Sequence, residues 1–124
     1  PEIKSVKLNI QNFPTKWQTV IFFNYGYVSL DKIAKVLGCS EKTVAYEAER
    51  LGLHDTIYDR VWEEKGYITI IRNNWYLLPY AQLLKLLGIT EERLEYILEN
   101  DDFLSVKLGG FKPKSEEVQS KSKT

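Results

Sequence analysis

The chain of 124 residues contains no methionine, one cysteine and one histidine. The single cysteine, Cys39, excludes an internal disulfide, and His54 has no cysteine or second histidine at metal-ligand spacing. No apolar run approaches the roughly 18 residues that span a bilayer, so no membrane partner is expected. No glycine-rich phosphate loop or nucleophile–base pair stands out, and we expect no enzymatic activity, no cofactor and no metal. The missing methionine indicates a processed chain or a segment of a longer protein.

The chain also lacks a net charge, because 17 basic residues face 17 acidic ones. A free-standing DNA-binding domain usually carries a basic excess that meets the phosphates. The charges are nevertheless unevenly distributed: residues 1–37 hold five lysines against two acids, and residues 104–124 hold the same balance. Residues 89–103 hold one arginine against six acids. Any contact with nucleic acid is therefore expected from the N-terminal half, with the basic tail adding phosphate contacts.

An internal repeat with an offset of fifty residues is the strongest pattern in the chain. Residues 21–53 align with residues 71–103 without a gap, and the segment Lys35–Gly38 meets Lys85–Gly88. Other identities fall at matching positions, which are Ile21/Ile71, Asn24/Asn74, Glu41/Glu91, Tyr46/Tyr96 and Glu49/Glu99. Such self-similarity indicates one supersecondary unit used twice. With 44% apolar residues, the chain can bury a core around both copies.

Each copy carries start and stop signals for two consecutive helices. Ser29 and Ser40 suit helix N-caps, and Gly38 between them suits a helix end because glycine readily adopts positive φ. In the second copy Pro79 suits a first helical turn, and Gly88 takes the place of Gly38. Apolar residues recur at helical spacing, and those expected to be buried at matching positions are Ile33/Leu83, Leu37/Leu87, Val44/Leu94 and Ala48/Leu98. The sequence predicts a mostly α fold with two tandem helix-turn-helix repeats.

The remaining segments divide the chain into an extended segment (1–14), repeat 1 (15–53), a connecting helix (54–66), repeat 2 with a closing strand (67–111) and a flexible tail (112–124). Alternating apolar residues in 2–12 and 103–108 predict strands that could pair as a short terminal β-ribbon. Residues 15–23 and 67–74 have strand propensity but stand where each repeat needs its first helix, so we expect helices there. The tail has one apolar residue and is expected to be disordered or only locally held.

The segment SLDKIAKVLGCSEKTVAYEAERLGL, residues 29–53, resembles the helix-turn-helix of bacterial DNA-binding proteins. Its small Ala34 suits a close helix crossing, Gly38 the turn, and Val44 the contact between helices. The resemblance implies that the second helix, at about 40–51, reads DNA through its exposed face, which would comprise Ser40, Lys42, Thr43, Tyr46, Glu47 and Arg50. Lys42 and Arg50 would contact phosphate or a guanine edge, and Tyr46 phosphate or a thymine methyl.

Two points weigh against DNA contact. Short helical units with these spacings also serve as protein-interaction modules and simple scaffolds, and Glu41 and Glu47 on the expected face would repel phosphates. The corresponding helix of repeat 2 is a poorer reader still, because it carries Glu91, Glu92, Glu95 and Glu99. That acidic face is either a solvated surface over a leucine-rich core or a docking face for a basic partner, such as the remainder of the parent chain.

A second, more distant resemblance covers residues 66–113, GYITIIRNNWYLLPYAQLLKLLGITEERLEYILENDDFLSVKLGGFKP. This stretch is similar to a segment near the N-terminus of large bacterial proteins that also carry a glycoside-hydrolase-like barrel. It contains no catalytic signature, and it implies an accessory domain of a larger, carbohydrate-active or uncharacterised protein. No signal peptide is visible, so a cytoplasmic location is expected.

Overall fold

A computed structural model describes residues 15–100, 104, 108–109, 112 and 114–120, and this part of the chain is mostly helical. Seven helices follow one another, which are α1 (Lys16–Asn24), α2 (Leu30–Leu37), α3 (Glu41–Arg50), α4 (Val61–Glu64), α5 (Tyr67–Asn74), α6 (Tyr80–Leu87) and α7 (Glu91–Asn100). The described residues form no β-strand. The predicted mostly α class is confirmed, and both ambiguous segments, 15–23 and 67–74, are helical except for Thr15, which precedes α1.

The helix bounds in the two halves of the chain are offset by the predicted fifty residues. Helices α2 and α6 match exactly at this offset, as do α3 and α7, while α5 begins one residue later than α1 would place it. Gly38 and Gly88 each end a helix in the left-handed region, with φ of 71° and 68°. A residue with a Cβ would be strained there, which explains glycine at both turns. Equivalent helices pack on each other, α1 on α5 and α2 on α6.

The core comprises two apolar clusters, one around each half. The first gathers α1, α2 and α3 and also receives Ile70, Leu78, Leu86 and Val118, whereas the second centres on Ile71, Trp75, Leu83, Leu94 and Ile97. Six of the eight residues predicted to be buried at matching positions are buried, and Leu87 and Leu98 are half-buried. Leu87 lies at the edge of a groove in the second half, so its side chain is only partly covered.

A symmetric pair of asparagines joins α1 to α5. Asn24 and Asn74 are buried, and each Nδ2 donates to the Oδ1 of the other at 2.8 Å. Each Nδ2 also donates to the carbonyl four residues earlier, of Val20 at 2.9 Å and of Ile70 at 2.8 Å. Buried amides need such partners, and here every N–H of the two side chains has one. The identity at this repeat position therefore has a structural basis.

The connecting helix predicted over 54–66 is wrong for most of its length. Only Val61–Glu64 is helical, and the Asp59 carboxylate accepts the Val61 amide at 3.0 Å at its start. Residues 54–60 instead form turns and extended chain, and the Asp59 amide donates to the Gly26 carbonyl at 3.1 Å. Ile57 is 86% exposed and Val61 is 41% exposed, so the apolar residues of this segment do not share a buried face.

Residues 114–120 of the predicted flexible tail pack on the core through one side chain. They form no helix or strand, and Val118 is buried in the apolar cluster around α1, α2 and α3. Sequence reasoning missed this because a single valine gives no periodic signal, and no local pattern indicates that the polar residue Gln82 is buried. The rest of the predicted tail, except Lys112, lies outside the described residues.

Most of the predicted terminal ribbon also lies outside the described residues, namely all of 2–12 and most of 103–108. At the two described positions the strand prediction is wrong, because the Leu108 amide donates to the Leu104 carbonyl at 3.0 Å. A hydrogen bond between residues four apart is the helical pattern and not that of a strand. No helix in the described part of the chain has the length and apolar character needed to cross a membrane.

Candidate nucleic-acid interface

The start of α3 is fixed by its own cap. Ser40 Oγ accepts the Thr43 amide at 3.1 Å, and the two hydroxyl oxygens lie 3.0 Å apart. Before the cap, the Cys39 amide donates to the Ala34 carbonyl at 3.1 Å, which closes the turn after α2. Buried Val44 and Ala48 then seat α3 against α1 and α2. The first turn of α3 is therefore held by packing from below and remains open on its outer side.

Four of the six predicted site residues lie on an exposed surface of α3, and a fifth lies at its edge. Ser40 and Lys42 are exposed at the N-terminal end, and Tyr46 one turn further is 65% exposed. The Arg50 side chain is 58% exposed, and Thr43 is half-buried beside the cap. We call Ser40, Lys42, Thr43, Tyr46 and Arg50 the α3 face. It combines two cations, two hydroxyl groups near a helix N-terminus and one phenol ring.

Glu47 does not belong to this face, and its predicted exposure is wrong. Its side chain is only 5% exposed, and its carboxylate accepts Gln18 Nε2 from α1 and Arg50 Nη1 at 2.9 Å. The Thr15 hydroxyl donates to Gln18 Oε1 at 2.9 Å, which orients the glutamine amide. Glu47 follows Val44 by three residues, and this spacing turns it toward the core side of the helix. The sequence pattern did not reveal Gln18, the half-buried polar partner of Glu47 on α1.

Arg50 consequently has two roles on α3. Its Nη1 donates to both oxygens of Glu47, at 2.9 and 3.2 Å, while more than half of the side chain stays in solvent. A planar guanidinium can bind one carboxylate with one edge and present its other N–H groups elsewhere. Glu47 is thus neutralised by a residue of the face, which removes one of the acids expected to repel phosphates.

Helix α7 presents a different surface at the equivalent position. Its four glutamates, Glu91, Glu92, Glu95 and Glu99, are all exposed. Tyr96 is exposed like its counterpart Tyr46, and the Arg93 guanidinium lies 5.5 Å from its ring centroid. The backbones of α6 and α7 approach each other less closely than those of α2 and α3. This agrees with the larger Leu84 standing where the first half has Ala34.

A groove of about 180 Å³ opens beside α7. Its floor is apolar, with Ile70, Ile71, Leu86 and Ile97, and charged residues such as Glu63 and Arg93 stand at its edge. Glu63 is engaged on its other side, where it accepts the Ser29 amide at 2.9 Å and lies 3.3 Å from Lys32 Nζ. Burial opposes the ionised form of Glu63, but hydrogen bonds from Tyr58, Ser29 and Lys32 outweigh it and lower its pKa. The bond to Glu63 raises the pKa of Tyr58 to about 12.

The tail closes the corresponding region of the first half. The Ser120 amide donates to the Leu37 carbonyl at 2.9 Å, and Gln82 Nε2 donates to the Val36 carbonyl at 2.9 Å. Both acceptors belong to the last turn of α2, whose carbonyls have no partner within the helix. Burial raises the pKa of the nearby Cys39 thiol, and a hydrogen bond with Ser120 opposes that rise. Cys39 therefore behaves as a small apolar residue of the turn.

Comparison of the chain with protein-family models, with curated proteins and with solved structures finds no match. Within the described residues, no three histidine, cysteine, aspartate or glutamate side chains converge as a metal-binding group.

Proposed function

We propose that the chain is a non-enzymatic binding module of two tandem helix-turn-helix units, and that it binds DNA through the α3 face. The observation that carries this proposal is the open first turn of α3, where Ser40, Lys42 and Tyr46 are exposed beside a capped helix N-terminus. The N-terminal residues of a recognition helix are those that contact base edges in the major groove. A cytoplasmic bacterial protein would suit this function.

The electrostatics of the α3 face support the proposal more than the sequence alone did. Glu47 is buried and paired with Arg50, so it does not confront a duplex as a free charge. Glu41 and Glu49 remain exposed and limit the number of phosphates that the face can neutralise. The acidic α7 must point away from the duplex, so only one of the two units would read DNA.

A binding titration with matched charge variants tests this function. Labelled duplex DNA is titrated at about 50 mM salt, where phosphate contacts contribute most. Lys42→Ala with Arg50→Ala should weaken binding, because both cations of the α3 face are lost. The matched control is Arg72→Ala with Lys85→Ala, which removes the same charge from exposed positions of the second half. Absence of binding by the unmodified chain, or equal losses in both double variants, would falsify DNA binding by α3.

The second candidate function is a protein-interaction or accessory domain of a larger, carbohydrate-active bacterial protein. Two observations favour it, namely the exposed acidic surface of α7 and the apolar groove of about 180 Å³ beside it. The four exposed glutamates would suit a basic partner or another part of the parent chain. The coding sequence that follows Thr124 discriminates the two functions: a barrel-sized enzyme domain favours the accessory function, and an effector or dimerisation domain favours DNA binding.

A further inference from the structure

The tail contacts Gln82 through its backbone and an apolar pocket through one side chain. Gln82, buried on α6, meets Val118 with both ends of its amide. The Val118 amide donates to Gln82 Oε1 at 2.7 Å, and Gln82 Nε2 donates to the Val118 carbonyl at 2.6 Å. A neighbouring β-strand makes the same pair of bonds to one residue of an extended chain. Any extended residue can satisfy them, because neither bond involves the tail residue's side chain.

A contact outside the tail fixes the orientation of the Gln82 amide. Its Nε2 also donates to the Val36 carbonyl at the end of α2, at 2.9 Å. A reversed amide would place its oxygen against that carbonyl, so the donor must point toward α2 and the acceptor away from it. The site is therefore built from both halves of the molecule. Gln82 on α6 bonds to the tail, and the Val36 carbonyl on α2 holds the Gln82 side chain in place.

One side chain of the tail is selected by the site. Val118 is 3% exposed and joins the apolar cluster that contains Trp17, Val36 and Leu37. The other described residues around it are exposed or half-buried, including both neighbours, Glu117 and Gln119. The position of Val118, called the anchor position, thus accepts a small branched aliphatic residue. The flanking positions are exposed and accept many side chains.

The tail contacts the rest of the protein in the way that a bound peptide ligand would. It forms no helix or strand, it buries one apolar side chain, and its bonds converge on Gln82 and the last turn of α2. A contact of this size depends on its covalent tether, which supplies a local concentration in the millimolar range. An untethered segment with the same features must therefore compete with a tail whose local concentration is in the millimolar range.

We propose that the groove bounded by Trp17, Leu37 and Gln82 is a peptide-docking site that the tail fills in cis. Its ligand in trans is an extended segment of a partner protein with valine or isoleucine at the anchor position. This is recognition by strand-like backbone pairing plus one side-chain pocket. The site is separate from the α3 face, and it stands whether or not the chain binds DNA.

The test uses the full chain with Val118→Asp, in which a charged residue cannot enter the apolar pocket. The probe is a fluorescent peptide of residues 114–120, KSEEVQS, and its anisotropy is followed during titration with protein. The peptide should bind the Val118→Asp chain at least about tenfold more tightly than the unmodified chain, whose own tail competes at millimolar effective concentration. Circular dichroism and a thermal melt of the variant establish that it is folded.

Two altered peptides make the test specific without changing the protein. N-methylation of the valine removes the donor to Gln82 Oε1 and should weaken binding at least about tenfold, since a buried acceptor loses its partner. A peptide with alanine at the exposed Gln119 position should bind as the parent peptide does.

The proposal is overturned if the folded Val118→Asp chain leaves the peptide unbound at millimolar concentration, or if the N-methylated peptide binds equally well. Dimerisation of the unmodified chain that Val118→Asp abolishes would also overturn it, because the occupant would then be the tail of a second copy.

Discussion

At the scale of single residues, buried polar side chains determine how the two halves meet. Asn24 and Asn74 satisfy each other between α1 and α5, and Gln82 joins α6 to the end of α2 and to the tail. A buried amide without partners costs more free energy than a formed hydrogen bond contributes. These residues therefore restrict the register of the packing, since a shift of one turn would break the Asn24–Asn74 bonds and the bonds from Gln82 to Val36 and Val118.

Replacing one asparagine of the pair should destabilise the protein by more than half of what replacing both asparagines costs. Asn24→Ala leaves the Asn74 amide without its partner and should lower the free energy of unfolding by about 1–3 kcal/mol. Asn24→Leu with Asn74→Leu removes both polar groups and should cost less than the sum of the single Leu variants. Urea unfolding measures the cycle, and exposed Asn73→Ala is the control. Additive losses would show that the two amides do not act as a pair.

Leucine truncations should separate the core from the surface of the second half. Leu94 is completely buried, so Leu94→Ala should cost about 2–5 kcal/mol. Leu87 is half-buried at the groove, so Leu87→Ala should lower the free energy of unfolding by less than Leu94→Ala does. Glu92→Ala and Glu95→Ala change exposed positions and should stay within about 0.5 kcal/mol. Denaturant melts that give equal losses for Leu94 and the glutamates would contradict the burial of this helix.

At the scale of helices, local signals predicted those elements whose caps and apolar stripes agree. Ser40, Gly38 and Gly88 mark true boundaries, and α2, α3, α6 and α7 lie where the periodicity predicts them. The prediction of a connecting helix was wrong because the segment around Ile57 pairs its backbone with the α1–α2 loop. This tertiary contact has no local sequence pattern. The burial of Glu47 and of Val118 was not predicted for the same reason, since their partners Gln18 and Gln82 lie on distant elements.

The N-terminus of α2 provides a pH-dependent contribution to stability. Glu63 accepts the Ser29 amide and lies 3.3 Å from Lys32, and its pKa is lowered in the folded protein. A lowered pKa means that the ionised form is favoured by folding. The contribution is therefore fully present above the unfolded value of about 4.3 and is lost as pH falls through the folded pKa.

Glu63→Gln should accordingly destabilise the protein at pH 7 by about 1 kcal/mol, and the difference should shrink below about pH 4. Thermal or urea unfolding across this pH range measures it. Glu64→Gln is the matched control, because Glu64 is about half exposed and pairs with exposed Arg60. A constant difference between the Glu63 variant and the parent at all pH values would mean that the carboxylate charge is not what stabilises this helix end.

At the scale of the whole molecule, similar backbones carry dissimilar surfaces. Helices α1 and α2 pack on their counterparts α5 and α6, so the two units face outward with α3 on one and α7 on the other. The α3 face offers cations and hydroxyl groups, whereas α7 offers four exposed glutamates. The fifty-residue offset of the helix bounds was readable from the sequence, but the burial of individual side chains on these helices was not, as Glu47 shows.

The proposed DNA binding by the α3 face makes a quantitative prediction. Affinity should fall with salt with a log–log slope near −0.9 for each phosphate neutralised, and two to four contacts would give about −2 to −4. Lys42→Ala with Arg50→Ala should make this slope shallower by about 2, since two contacts are removed. Charge reversal at Glu91 and Glu92 should leave the preference for one DNA sequence over another unchanged, because DNA binding by the α3 face requires α7 to lie away from the duplex. Titrations between about 50 and 200 mM salt measure the slope. A slope unchanged in the α3 double variant, or a sequence preference that follows the charge of α7, would place the contacts elsewhere and favour the accessory-domain function.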